Sequence, residues 1–325
     1  MNGRTTRGSD QSTASAPYGI APPGYRLPAA TRLGPVRLQV ADLDRSLVWY
    51  SRVLGLEPVD RARGEMRPEQ GGPNEAGSEG SPRVARLGVP GSLDLLVELH
   101  EHPGAAPVPR RGRLGLYHYA ILLPDRPALG RFLRHLATIG ERPGMSDHFV
   151  SEALYLYDPD GLGIEVYADR PRDAWRHEDR QLTMTTNPLD AQDLLRAAGD
   201  EGWAGMPPGT ILGHVHLFVG DLGRAATFYH AGLGFDKTVW SYPGALFLSA
   251  GGYHHHLGTN TWAEGAAPAG PEDARLLEWE IVVPAPEDAQ ATLASIEAAG
   301  GTVRRVAGGG TARDPWGTTV RVRGE

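Results

Sequence analysis

The chain has 325 residues, more than one ordinary hydrophobic core uses, and this length indicates about two domains. Its net charge of -7 and its isoelectric point near 6.0 argue against nucleic acid or an anionic membrane surface as the main partner. Because the sequence contains no cysteine, disulfides, thiolate metal ligands and thiol nucleophiles are excluded, and a transition metal would depend on His, Asp or Glu.

The N-terminal segment, residues 1–32, is rich in Ser, Thr, Ala, Pro and Gly and predicts a disordered tail. It lacks the hydrophobic core of a signal peptide, and no apolar run in the chain approaches the roughly 18 residues of a membrane span. We therefore expect a cytoplasmic protein. A second segment, residues 63–82, is rich in Gly, Glu and Pro and predicts a mobile surface loop.

An internal repeat relates residues 38–45 to residues 217–224. Both stretches end in Asp-Leu-x-Arg, and the match continues at a fixed offset through the aromatic pairs at 49–50 and 228–229. Apolar residues then recur at helical spacing, so each copy predicts a strand followed by an amphipathic helix. Asp42 and Asp221 are placed to cap these helices, and Gly55 and Gly234 are placed to end them.

A second pair of units has strands at 119–123 and 279–283, each followed by a helix that ends at Gly140 or Gly300. Each then reaches an Asp-Pro-x-Gly turn, at 158–161 and 314–317. The chain thus predicts four β-α-β-β-β modules, near residues 33–103, 114–170, 210–265 and 275–323. Modules 1 and 2 would form one domain, 33–170, and modules 3 and 4 a second, 210–325. Residues 171–209 would be a linker with a short helix at 190–198.

One motif spans residues 148–165 and reads His-x5-Leu-Tyr-x2-Asp-Pro-x-Gly-x3-Glu. It resembles the signature of the extradiol ring-cleaving dioxygenases of the vicinal oxygen chelate superfamily, which also contains glyoxalases and bleomycin-resistance proteins. Only Ser146 departs from it, at a position that usually holds glycine or a few alternatives. With the repeats, the resemblance covers nearly all of the chain beyond residue 30. It implies an α+β fold, in which the four modules form paired, curled mixed sheets around a metal cavity.

In that superfamily a metal ligand typically lies on the first strand of a module or on its last strand, after the hairpin. Counted back five residues from the strand ends, the first-strand positions hold Pro35, His118, His214 and Glu278. The last-strand positions hold Glu98, Glu165, His256 or a neighbour, and Arg321. Since proline cannot bind a metal and arginine is a permanent cation, modules 1 and 4 are degenerate as metal sites.

The resemblance therefore implies His118, His214 and Glu165 as metal ligands, provided that modules 2 and 3 pair. Extradiol enzymes usually pair their last two modules instead, which would offer His214, Glu278 and His256 here. We favour the first pairing because it uses the signature hairpin. A two-histidine, one-carboxylate set leaves positions open on iron(II), the expected ion, for a bidentate diol and dioxygen. Manganese(II) is the alternative.

Four further residues are candidates for catalysis. The phenol of Tyr155 could hydrogen-bond an oxygen of the substrate, with Tyr157 as a fallback on the same strand face. His148 could contact the substrate or lie on the surface. Residues 254–256 are three adjacent histidines, and by resemblance His255 or His256 would be the acid–base catalyst, a task that suits an imidazole near neutral pH.

The resemblance implies an iron(II)-dependent extradiol dioxygenase that acts on a catechol-like aromatic diol and dioxygen. A homo-oligomer is possible, and no nucleic-acid or membrane partner is expected. Two other functions of the superfamily stay open. One is a non-redox, glyoxalase-like isomerase or lyase that uses His118, Glu165, His214 and His256 as four ligands. The other is a metal-free drug-binding resistance protein.

Overall fold

The computed structural model describes residues 18–59, 83–109 and 112–325. The predicted loop at 63–82 and the first part of the predicted tail lie outside these ranges. The prediction of a disordered tail is wrong for residues 18–31, because they are packed against module 3. Leu27 is buried, Ile20 pairs with Lys237, and the Arg26 guanidinium lies 2.6 Å from the carboxylate of Asp236.

Four β-α-β-β-β modules follow one another along the chain, as the repeats predict. Module 1 contains β1 Arg32–Val40, α1 Leu43–Trp49, β2 Glu57–Pro58, β3 Val84–Gly88 and β4 Leu95–Glu101. Module 2 contains β5 Gly115–Leu122, α2 Arg126–Ile139, β6 Gly144–Asp147, β7 Ser151–Tyr157 and β8 Gly163–Asp169.

The linker between the halves carries β9 His177–Glu178, β10 Gln181–Leu182 and α3 Ala191–Ala197, so the predicted short helix is confirmed. Module 3 contains β11 Ile211–Phe218, α4 Leu222–Ala225, β12 Asp236–Val239, β13 Ala245–Ser249 and β14 Leu257–Asn260. Module 4 contains β15 Arg275–Val283, α5 Pro286–Ala298, β16 Val303–Val306, β17 Gly309–Arg313 and β18 Thr319–Gly324. Both α1 and α4 continue into π-helical turns, Tyr50–Leu54 and Ala226–Gly232.

The predicted helix caps are present. The side chains of Asp42 and Asp221 accept hydrogen bonds from backbone N–H groups three residues later, which satisfies a free donor of the first turn. Asp125 does the same for α2. Gly55 and Gly140 follow the helical segments of modules 1 and 2 with φ of 68° and 81°, a left-handed conformation that glycine adopts without steric cost.

The described residues form two eight-stranded mixed sheets, and each sheet joins one module from each half of the chain. Strand order is β12-β13-β14-β11-β5-β8-β7-β6 in the sheet of modules 2 and 3, and β16-β17-β18-β15-β1-β4-β3-β2 in that of modules 1 and 4. This is the module pairing that the hairpin motif favours. The expected architecture of paired, curled mixed sheets is confirmed.

One extensive hydrophobic cluster joins the two sheets. It includes Tyr119 on β5 and Val215 on β11 together with Leu38 on β1 and Trp279 on β15, all fully buried. Because side chains alternate along a strand, the neighbours of Tyr119 and Val215 point to the opposite, concave face of their sheet. Those neighbours are His118, His214 and His216. No helix in the described ranges is long and apolar enough to cross a membrane.

Candidate metal centre

The candidate site is built on a row of residues that crosses four neighbouring strands. Tyr155 on β7 lies opposite Glu165 on β8, Glu165 lies opposite Ala120 on β5, and Ala120 lies opposite His214 on β11. His118 precedes Ala120 by two residues and so shares its face. Because the alanine side chain is short, the longer side chains on both sides of it can meet above the sheet.

These side chains converge on one point. The Oε2 atom of Glu165 lies 3.0 Å from Nε2 of His118 and 3.2 Å from Nε2 of His214. The three residues are buried, and they can offer three ligand atoms within 4.8 Å of one another. Ligand atoms at adjacent positions of an octahedral first-row metal ion lie about 3 Å apart, given bonds of about 2.1 Å. The observed spacing fits such an ion.

Unpartnered nitrogens give a second, independent reason to place a cation here. Both ring nitrogens of His118 and Nδ1 of His214 are buried without a hydrogen-bond partner among the described residues. Although Nε2 of His118 is close to Glu165, the geometry is not that of a hydrogen bond. Buried polar atoms are normally satisfied. Because an imidazole gives an ion only one of its nitrogens, the exception that supports a cation beside Glu165 is Nε2 of His118. Two imidazoles and a carboxylate are a donor set that binds divalent transition metals.

The charges at the site suit the same ligand. Burial by itself would raise the pKa of Glu165, but the imidazoles of His214 and His118 hold this pKa well below its usual value. Burial lowers the pKa of His214 to about 4, against the opposing effect of Glu165. An ionised carboxylate and a neutral imidazole are the protonation states that bind a metal.

A cavity of about 440 Å³ opens above the three candidate ligands. Its walls also include the aromatic side chains of Tyr117, Tyr242, Phe247 and Trp262. Residues 184–186 of the linker also line it. Sequence reasoning missed this contribution, because the segment carries no motif and reaches the cavity only through the packing of the linker. The cavity is of the size and mixed polarity typical of small-molecule sites.

His148 and Tyr155 are hydrogen-bonded to each other at the cavity wall. Nδ1 of His148 lies 2.5 Å from the carbonyl oxygen of Thr185, and Nε2 lies 2.6 Å from the hydroxyl of Tyr155. Since a carbonyl only accepts, Nδ1 carries the proton and Nε2 accepts from Tyr155. Burial, with the nearby charge of Glu165, raises the pKa of Tyr155 well above its usual value, so the phenol keeps its proton. His148 thus contacts the cavity and is not a surface residue.

The three adjacent histidines lie in a bend before β14, and they point in different directions. His255 lines the cavity, with its ring centroid 4.1 Å from that of His214. His256 does not line it, which corrects its candidacy as an acid–base catalyst. Its Nδ1 instead accepts a hydrogen bond from the backbone N–H of Ala250, and its ring stacks on Phe235. Of this pair, His255 therefore faces the candidate ligands and His256 faces away from them.

Tyr157, the fallback for Tyr155, lies outside the cavity. Its side chain is 65% exposed and lines an outer groove that also contacts Tyr117 and Trp262. Although Tyr157 shares a strand face with Tyr155, it lies two residues further along, at the last position of β7. Trp279 packs in the core between the sheets.

Ion pairs occupy the corresponding positions in the sheet of modules 1 and 4. Arg321 donates to Glu278 over 2.6 Å, and Arg37 also pairs with Glu278. Glu98 accepts from Arg86 over 2.9 Å and lies 2.7 Å from His100. Arginine side chains thus neutralise the carboxylates in this sheet, in agreement with the prediction that modules 1 and 4 are degenerate.

Comparison with known proteins agrees with this architecture. The family model for the Glyoxalase/Bleomycin resistance protein/Dioxygenase superfamily matches residues 32–166 and 211–322. The chain is 42% identical over 289 residues to the catechol-2,3-dioxygenase of Bacillus subtilis (strain 168), an alignment that covers 88% of this chain and 94% of that protein.

Solved structures show the same fold. A candidate dioxygenase from Bacillus subtilis subsp. subtilis strain 168 has a TM-score of 0.57 at 15% identity, over 90% of this chain and 84% of that one. Glyoxalase I from Zea mays has a TM-score of 0.52 at 18% identity, over 91% of this chain and 92% of that one. At such low identity, these two similarities concern the fold alone. Both halves match the family and a relative aligns over nearly its full length, so the chain belongs to the Glyoxalase/Bleomycin resistance protein/Dioxygenase superfamily.

Proposed function

We propose that this chain is an extradiol ring-cleaving dioxygenase that binds iron(II) through His118, His214 and Glu165 and acts on a catechol-like aromatic diol. The main support is the convergence of two imidazoles and one carboxylate, with an unpartnered buried Nε2 on His118, at the base of an aromatic-walled cavity. The similarity to a catechol-2,3-dioxygenase supports the reaction class. Manganese(II) is the alternative ion. A cytoplasmic location and a homo-oligomeric state stay predictions.

The division of labour between ion and protein follows from the donor set. His118, His214 and Glu165 would hold a divalent ion, and the bound ion would supply the oxygen chemistry. The protein orients the diol and moves its protons. His255 faces the same cavity, and burial together with the neighbouring imidazoles holds its pKa well below the usual value, so it is present as a neutral base.

Two other parts of the cavity would orient the substrate. The hydroxyl of Tyr155 donates a hydrogen bond to His148, so its oxygen can accept a hydrogen bond from a diol hydroxyl. Tyr242 and Trp262 provide aromatic rings against which an aromatic substrate can pack.

A non-redox isomerase or lyase is the second candidate, because members of the same superfamily catalyse such reactions. The four-ligand metal site that the sequence suggests for such an enzyme would need His256 as its fourth ligand. Since His256 is turned toward Ala250 and Phe235, this ligand set does not support the alternative.

The deciding experiment uses metal-free protein loaded anaerobically with iron(II) and then given catechol and isotopically labelled dioxygen. We expect one dioxygen consumed per catechol, both labelled oxygen atoms in a ring-opened product, and cleavage beside the diol. Protein loaded with zinc(II) is the control and should consume no oxygen. An iron-loaded protein that binds catechol without consuming oxygen would refute the proposal, as would turnover of a non-aromatic substrate by the zinc form.

A further inference from the structure

Three side chains form a hydrogen-bonded chain that ends at the cavity. Oδ1 of Asp169 lies 2.9 Å from Nε2 of His254, and Nδ1 of His254 lies 2.7 Å from Nδ1 of His255. Of the two histidines, only His255 lines the cavity. The sequence marked His254 only as one of three adjacent histidines and gave no signal for Asp169, and neither residue belongs to the candidate metal centre.

The chemistry of the three groups fixes the direction of these hydrogen bonds. A carboxylate only accepts, so Nε2 of His254 carries the proton that Asp169 receives. In the neutral imidazole, Nδ1 of His254 then has a free lone pair and must accept from Nδ1–H of His255. Nε2 of His255 is consequently left without a proton, and it is the ring nitrogen available to a molecule in the cavity.

The surroundings hold this arrangement in place. The side chain of His254 is completely buried, and its backbone carbonyl accepts a hydrogen bond of 2.7 Å from the hydroxyl of Thr238. Asp169 also accepts from the hydroxyl of Tyr253 over 3.2 Å, and its side chain is 25% exposed. Asp169 follows Glu165 by four residues on β8, so the same strand supplies a candidate metal ligand and the end of the hydrogen-bonded chain.

We propose that Asp169 and His254 are positioning residues that select the tautomer of His255 in which Nε2 is a base directed at the substrate. This inference rests on the proposed dioxygenase function. A proton passes from a diol hydroxyl to Nε2 of His255, and the Nδ1 proton can shift to His254, where the positive charge lies beside the carboxylate of Asp169. The same proton returns to a product oxygen, so none is consumed. The arrangement follows the logic by which a buried aspartate orients a catalytic histidine in serine proteases.

The tautomer can be measured without activity. In metal-free protein labelled with nitrogen-15 in histidine, the signals of His255 are assigned from their loss in His255→Asn. We expect the tautomer with a proton on Nδ1, and we expect Asp169→Asn to produce a mixture of both tautomers. The inference is overturned if His255 carries its proton on Nε2 in the wild type, or if Asp169→Asn leaves the tautomer unchanged.

Kinetics on the iron-loaded protein give the second readout. Asp169→Asn should lower kcat about 10- to 100-fold, the usual effect of losing an orienting partner, with little change in KM for catechol or in bound iron. The solvent deuterium isotope effect on kcat should increase because proton transfer becomes limiting. Asp169→Glu should recover most of the rate. The control is His230→Asn, which removes a buried histidine that lies outside the cavity, in module 3 with His254 and His255.

The outcomes separate this inference from the function on which it rests. If wild-type protein consumes no oxygen while the Nδ1–H tautomer depends on Asp169, the dioxygenase proposal fails and the positioning role stands. If wild-type protein is active and Asp169→Asn has the same kcat and isotope effect, the positioning role fails. A loss of iron in proportion to the loss of rate would mean that Asp169 only maintains the structure, which also refutes it.

Discussion

Replacing Glu165 by glutamine should remove most of the stabilisation that a metal ion gives to this protein. Glu165 is the anionic member of the candidate ligand set, is 2% exposed, and lies within 3.2 Å of both imidazoles. Glutamine preserves the size and one oxygen of this side chain but removes its charge. Burial and the backbone should therefore stay as they are, while the affinity for a divalent cation falls.

The expected magnitude follows from binding linkage. At a manganese(II) concentration 100 times its Kd, a ligand that binds only the folded state stabilises it by about 2.7 kcal/mol. Loss of orienting partners alone weakens metal binding about 10- to 100-fold, and loss of a direct ligand should weaken it at least 100-fold. At the same concentration the stabilisation then falls to about 0.4 kcal/mol or less.

The assay is denaturant unfolding of metal-free protein with and without manganese(II), with direct titration of the ion as a check. Glu98→Gln is the matched control, because Glu98 occupies the same position of the repeat in the other sheet, where Arg86 and His100 surround it. This control should retain the full response to manganese(II). If Glu165→Gln gains as much stability from the ion as wild type does, the reasoning about this ligand set is wrong.

Three further predictions concern the same sheet. Ala120→Leu should abolish metal binding without altering a ligand, because a larger side chain would fill the space in which Glu165 and His214 meet; Ala120→Gly should bind normally in the same titration. Tyr155→Phe should retain the metal but lower kcat for catechol about 10- to 100-fold, and an unchanged kcat would exclude a substrate contact. Burial raises the pKa of Asp158 to about 7, so the folded state holds the carboxyl proton more tightly than the unfolded chain does. The stability that this proton contributes is present below about pH 4 and is lost as the pH rises through 7. Between pH 4 and pH 8, the free energy of unfolding of wild type should therefore fall by up to about 4 kcal/mol relative to that of Asp158→Asn. A difference between the two proteins that does not change with pH would contradict this.

The local patterns of the sequence were sufficient for the modules and for most of the candidate site. The helix caps at Asp42 and Asp221 depend on atoms within one turn, so their position can be read from the chain itself. The hairpin that separates Tyr155 from Glu165 is equally local, since its Asp-Pro-x-Gly turn sets the register of the two strands. The histidines at 118 and 214 were found because the repeat assigns them equivalent positions.

Other features could not be obtained in this way. The packing of residues 18–31 and the approach of residues 184–186 to the cavity depend on surfaces that are distant in sequence. The same is true of the contact between Asp169 and His254, which joins residues from opposite halves of the chain. Composition and periodicity contain no information about what these segments contact.

The sequence by itself determined that four modules exist and which residues occupy the candidate ligand positions of each. Only the tertiary structure decided that modules 2 and 3 share one sheet and that His255, not His256, faces the ligands. The physical reason is that periodicity and turn chemistry act over a few residues, whereas the pairing of β5 with β11 and the direction of a side chain in a bend depend on long-range packing.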